Sequence, residues 1–146
     1  MRITLVRLMF LAVLLNAVTV CAQNPNYNVG PVWRIVQMHI HPGQADAFWT
    51  DIRQHLKPIY DEQKKQGLIT DYKVFVNPTA NGPNDWSVTV GLLYANWAAL
   101  DQVAAKAETI TAQHYGSRQA MMQAAKARAD LADVVANHLV REVTLK

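Results

Sequence analysis

The strict two-residue alternation of Val32–His41 constrains this chain more than any other feature. Val32, Arg34, Val36, Met38 and Ile40 fall on one side, and Trp33, Ile35, Gln37, His39 and His41 on the other. A period of two belongs to a β-strand, and the aliphatic side marks the face that meets a core. Pro42-Gly43 then stops the strand and opens a helix expected to run to about Gln66. Phe48, Ile52, Leu56 and Ile59 are spaced 4, 4 and 3 and form one buried stripe. Pro58 lies inside that stripe. It cannot donate a backbone hydrogen bond and disfavours helical geometry at Lys57, so a kink or break is expected there. Gly67 follows Lys64-Lys65 as a C-terminal cap.

The remaining elements follow from the same two periods. Leu68–Asn77 reads as a second strand, the Asn/Pro/Gly-rich stretch 77–85 as a turn, and Trp86–Tyr94 as a third strand. Asn96 can cap a helix in which Trp97, Leu100, Val103, Ala107 and Ile110 recur at helical spacing. His114-Tyr115-Gly116 breaks it, Ser117 caps an alanine-rich helix expected to reach Asn137, and His138–Leu145 closes as a fourth strand. Residues 23–31, rich in Asn, Pro and Gly, read as a flexible lead-in, and 32–146 as one domain. The order βαββααβ predicts an α+β, ferredoxin-like fold. Its four-stranded antiparallel sheet has spatial order 4-1-3-2, with the helices on one face. The other face carries Trp33, Ile35 and Phe75 and calls for a covering partner.

The first 22 residues have the grammar of a secretory signal peptide. Arg2 and Arg7 precede the apolar run Leu8–Val20, and Val20-Cys21-Ala22 offers small residues at a cleavage site. At about 13 residues the run is shorter than the roughly 20 a spanning helix needs. The expectation is therefore export, periplasmic or secreted, with no membrane attachment after cleavage before Gln23. Cutting before Cys21 with acylation is the alternative, and Val20 fits it poorly. Losing Arg2 and Arg7 brings the formal charge of +3 close to neutrality. No basic field remains for nucleic acid. Cys21 is the single cysteine, so disulfides and thiolate metal sites are not expected in the mature chain.

At the two strand-to-helix junctions, Met38-His39-Ile40-His41-Pro42-Gly43 with Phe48, and Tyr94-Ala95-Asn96-Trp97-Ala98-Ala99-Leu100, the chain resembles the dimeric α+β barrel superfamily. That superfamily includes antibiotic-biosynthesis-monooxygenase-like, NIPSNAP-like and EthD-like proteins. The resemblance implies a homodimer packed sheet to sheet, with small ligands between sheet and helices or inside the barrel. Haem-degrading members use a first-strand asparagine, a tryptophan ending the third strand and an axial histidine about ten residues later. Here the first strand has no asparagine, Tyr94 stands at the tryptophan position, Ala104–Ala107 holds no histidine and His114 comes too late. No haem or other cofactor is expected.

The standard catalytic signatures are absent. What remains is geometric. In the 4-1-3-2 order the end of strand one lies beside the start of strand four. That would set His138, Val140, Glu142 and Thr144 on the bare face with Gln37, His39 and His41. Ser87, Thr89 and Gly91 are small and would leave room there. Histidines two apart on a strand point the same way and imidazole binds transition metals, so one reading is a metal or acid/base site. The plainer reading is a polar lining where the sheet meets solvent. The expectation is ligand contact by Trp33, Gln37, His39, His41, His138 and Glu142, with no preformed metal site. The chain then reads as an exported homodimer that binds a small, partly apolar molecule. The alternative is a cofactor-independent monooxygenase or isomerase using the same histidines.

Overall fold

The computed structural model describes residues 26–146. The signal-peptide and lipid-attachment expectations concern residues 1–22 and lie outside them. Residues 29–144 form one compact unit. In the other unit, Lys146 donates a backbone hydrogen bond to the Asn26 carbonyl.

The elements are β1 (Tyr27–Ile40), α1 (Ala45–Asp51), a π-helical turn (Ile52–Leu56), α2 (Lys57–Lys65), β2 (Asp71–Val76), β3 (Val88–Tyr94), α3 (Trp97–Tyr115), α4 (Arg118–Ala129) and β4 (Ala132–Leu145). The strands pair in the order β2-β3-β1-β4, which is the ferredoxin-like 4-1-3-2 order seen from the opposite edge. The sheet is antiparallel, and no described helix is long and apolar enough to cross a membrane.

Register places the alternating residues as the sequence predicts. Val36 pairs with Val90 and Val90 with Val74, while Met38 pairs with Val88 and Val88 with Val76. This row structure forms the helix-facing side. Met38, Val88, Val90, Leu92 and Tyr94 are buried with Phe48, Ile52, Ile59, Val103 and Ile110 from the helices. The opposite face carries the rows Trp33–Leu93–Asp71, Ile35–Gly91–Lys73 and Gln37–Thr89–Phe75.

The helix boundaries are set by local chemistry. Asn96 Oδ1 accepts the Ala99 N–H at 3.0 Å, and Ser117 Oγ accepts the Ala120 N–H at 3.0 Å. Gly67 and Gly116, at φ +71° and +82°, adopt the left-handed conformation that ends α2 and α3 without a Cβ clash. Pro58 does not break its helix. It sits in the first turn of α2, directly after the π turn, in which the Lys57 N–H bonds to the Ile52 carbonyl five residues back. One wider turn absorbs the missing donor and relieves the ring's clash with the preceding turn.

β2 starts at Asp71 rather than Leu68 and β3 at Val88 rather than Trp86, and two other boundaries differ from the sequence expectation by more. Residues 27–31 are strand rather than flexible lead-in. Pro31 is tolerated because the β1–β3 ladder begins only at Val32–Tyr94, so its missing N–H costs no bond on that side. At the other end α4 stops at Ala129, and β4 begins at Ala132 rather than His138. The Leu131 carbonyl accepts the His41 N–H at 2.9 Å and Asp133 pairs with His41 at 3.0 Å. This long-range partnership overrides the helical preference of the alanines.

Candidate ligand-binding cavity

The early start of β4 decides the fate of the expected histidine cluster. His41 lies beside Leu131 and Asp133, Arg34 Nε donates to Asn137 Oδ1 at 3.2 Å, and Arg141 Nε donates to the Gly30 carbonyl at 3.2 Å. His138 is therefore level with the middle of β1 and not with its end. The expectation that His39, His41 and His138 share one end of the open face is corrected: β4 runs past that point before reaching His138. Among the described residues no three His, Cys, Asp or Glu side chains form a group able to hold a metal ion.

Each β1 histidine has a separate structural partner. His39 Nδ1 is 2.9 Å from the Asp85 carbonyl, and since a carbonyl only accepts, this nitrogen carries the hydrogen. His41 faces acceptors on both sides: the Asp133 carboxylate at 3.0 Å from Nε2 and the Asp130 carbonyl at 3.0 Å from Nδ1. The Asp133 and Asp130 bonds raise its pKa above the ordinary value. An imidazole held with both nitrogens as donors has no lone pair for a metal or a substrate proton.

Trp33 and Glu142 do meet on the open face. The indole N–H donates to Glu142 Oε2 at 3.2 Å, and Lys73 Nζ lies 5.8 Å from the ring centroid. The space expected over Gly91 is filled from within the chain. A Cβ there would stand 3.1 Å from Trp33 Cε3 and 3.4 Å from Ile35 Cδ1, so glycine admits the indole. Gln37 flanks Thr89, whose Oγ1 is alone among the buried side-chain polar atoms of the described residues in having no hydrogen-bond partner. An unpaired buried hydroxyl of this kind costs about 1–3 kcal/mol.

A partly open cleft lies on the other face. A cavity of about 210 Å³ opens between the π turn and the β2–β3 edge, lined by Ile52, Arg53, Lys57, Tyr60, Tyr72, Val74 and Val90. The sequence builds it in steps. Pro58 forces the wide turn at Ile52–Leu56, β2 is an edge strand, and Val74 pairs with Val90 to form an apolar floor. Tyr60 and Tyr72 form one wall with ring centroids 5.4 Å apart. Burial pushes the Tyr60 phenol up, with Arg128 and Arg34 opposing it. Burial, then the bond to Asp61, pushes Tyr72 up to about 12. Tyr72 Oη donates to Asp61 Oδ1 at 2.7 Å and Lys57 Nζ donates to Oδ2 at 2.5 Å. These two bonds, Lys57 first, lower the Asp61 pKa. The Lys57 charge is thus occupied, whereas Arg53 is exposed and makes only a 3.3 Å contact to Thr50.

A larger concavity of about 480 Å³ between α3 and α4 is a shallow, open groove lined by Glu108, Thr109, Gln113, Ser117 and Arg118 and spanned by the Arg118–Glu108 ion pair at 2.6 Å. Of the smaller cavity's lining, only Ile52 and Val90 were legible from the sequence, as core. The one signal pointing to it was Pro58 interrupting an otherwise regular stripe. No protein-family model, curated protein or solved structure matches this chain.

Proposed function

We propose that this chain binds a small, partly apolar, anionic molecule in the cavity beside the π turn. The carrying observation is the combination of an apolar floor, two tyrosine rings and an uncommitted guanidinium around one partly open cavity. Pockets for drug-sized ligands run from roughly 300 to 1,000 Å³, so about 210 Å³ fits something nearer one ring with a carboxylate. Binding without chemistry is favoured over proton transfer because His39 and His41 are tied to backbone carbonyls and neither lines this space.

Saturation-transfer NMR with benzoate and benzyl alcohol checks this reading. Both are expected to bind, and Val74→Phe, which fills the cavity from an edge-strand position, is expected to abolish both. Arg53→Gln should weaken benzoate about tenfold while sparing benzyl alcohol, the size of one charge-assisted hydrogen bond. Absence of transfer to either probe, or unchanged transfer in Val74→Phe, rejects the cavity as the site.

The same reading makes the protein an exported homodimer through the open sheet face. Support comes from Trp33, Ile35 and Phe75 sharing that face, with Phe75 47% exposed, and from the signal-like start of the chain. Trp33→Asp is expected to dissociate the dimer, since a charge buried unpaired in an apolar contact costs several kcal/mol. Sedimentation showing a monomeric wild type, or an unchanged dimer in the variant, contradicts it.

A further inference from the structure

Outside the cavity, two histidines far apart in sequence meet head-on. His55, in the π turn, and His114, in the last turn of α3, bring Nδ1 and Nε2 within 3.1 Å of each other, with ring centroids 5.3 Å apart and planes at 80°. We propose that this pair is a two-histidine chelate for a divalent transition-metal ion, with copper(II) or nickel(II) fitting better than zinc.

The geometry supplies the selectivity. With metal–nitrogen bonds of about 2.0–2.1 Å, a 3.1 Å separation subtends about 95–102° at the metal. That is near the right angle of square-planar or octahedral coordination and short of the tetrahedral angle zinc prefers. Copper and nickel also stand high in the affinity order for imidazole. No third His, Cys, Asp or Glu among the described residues completes the site, so water fills the remaining positions. In the neutral pair one hydrogen bridges the two nitrogens. It moves to the far nitrogen of its own ring by tautomer exchange when the metal enters, and both rings turn about their Cβ–Cγ bonds so that the two lone pairs converge on the metal instead of facing each other. Both side chains lie at the surface, which permits the turn.

The backbone beneath is held in place by contacts independent of any metal. Arg128 on α4 donates to Asp51 at 2.5 and 3.2 Å and to Tyr115 Oη at 2.9 Å, tying the end of α1, just before the π turn that carries His55, to the end of α3 that carries His114. The Tyr115 ring packs on both imidazoles at 5.0 Å. His114 also sits at the C-terminal end of a 19-residue helix, where the helix dipole favours a cation. Two imidazoles already held side by side on a fixed backbone lose less freedom on binding than two independent side chains.

Calorimetric titration of the full chain with nickel(II) at neutral pH tests the site. One ion per chain is expected, bound at least about tenfold more weakly by His55→Asn and by His114→Asn taken separately, with metal-free melting temperatures unchanged. No saturable binding by the wild type, binding as tight as the wild type in both variants, or loss in only one of them overturns the chelate. Should a variant fail to fold, the copper(II) paramagnetic resonance spectrum of the wild type decides. Two equatorial imidazole nitrogens support the pair, and any other count refutes it.

Discussion

Replacing Phe48 by alanine is expected to remove about 3–5 kcal/mol of folding stability, the range for truncating a fully buried phenylalanine. Phe48 is 0% exposed and lies in α1 at the centre of the cluster joining Met38, Val88, Val90, Ile52 and Val103. Its ring meets Trp49 edge-on at 5.5 Å, so the truncation also strips one face of that indole. The cost has two parts. One is the transfer free energy of the lost ring, and the other is the void left between sheet and helices. The sheet is a rigid hydrogen-bonded floor and cannot collapse into the void, which favours the upper part of the range. Urea unfolding of the variant measures it. A loss below about 1.5 kcal/mol would mean the helices settle onto the sheet and that this contact is not the centre of the core. Phe48→Leu, which keeps most of the volume, is expected to retain more than half of the stability lost in the alanine variant.

The second large effect falls on the ion pair between Asp51 and Arg128. The two side chains are 16% and 20% exposed, and the guanidinium donates twice to the carboxylate and once to Tyr115. Burial works against the charge on Arg128, and the Asp51 carboxylate and the Tyr115 hydroxyl outweigh it, so the pKa of the guanidinium is raised. Removing either partner leaves the other charge partly buried and alone. Arg128→Ala and Asp51→Ala are each expected to cost about 2–4 kcal/mol, somewhat less than fully buried pairs because some solvent reaches the group. The double variant should cost clearly less than the two single losses added, since it leaves no orphaned charge. Additive losses would show that the two side chains stabilise the fold separately and not as a pair.

Much of the fold was legible in the sequence because it is written at short range. The alternation of Val32–Ile40 assigned Met38 and Val36 to the core and Trp33 and Gln37 to the open face, and the register agrees. Asn96, Ser117, Gly67 and Gly116 marked helix ends through bonds or dihedrals that reach no further than three or four residues. The order of elements then selected the sheet topology, since a split β-α-β chain has few antiparallel closures.

The site was legible only in fragments. Trp33 and Glu142 were placed together and do touch, yet His138 was set beside His41 through a β4 start six residues too late. Residues 130–137 contain alanines that favour helix and Val134-Val135 that favour strand, so local preference does not choose between them. The choice is made by His41, whose backbone N–H and both ring nitrogens take partners from Asp130, Leu131 and Asp133. In the same way Pro58 announced a disturbance in the helix, but whether it would appear as a kink or as a wider turn depended on how Ile52 and Ile59 had to meet the sheet.

The sequence by itself determined which residues face the core, where most helices begin and end, and the topology of the sheet. Each of these follows from periodicity or capping within a few residues. Tertiary structure alone decided that Tyr60 and Tyr72 would wall a cavity with Arg53 at its rim. It likewise decided that His55 would meet His114, 59 positions further along the chain. These meetings are set by how a helix is rotated and translated on the sheet, and that follows from the packing of the whole core, to which no local period corresponds.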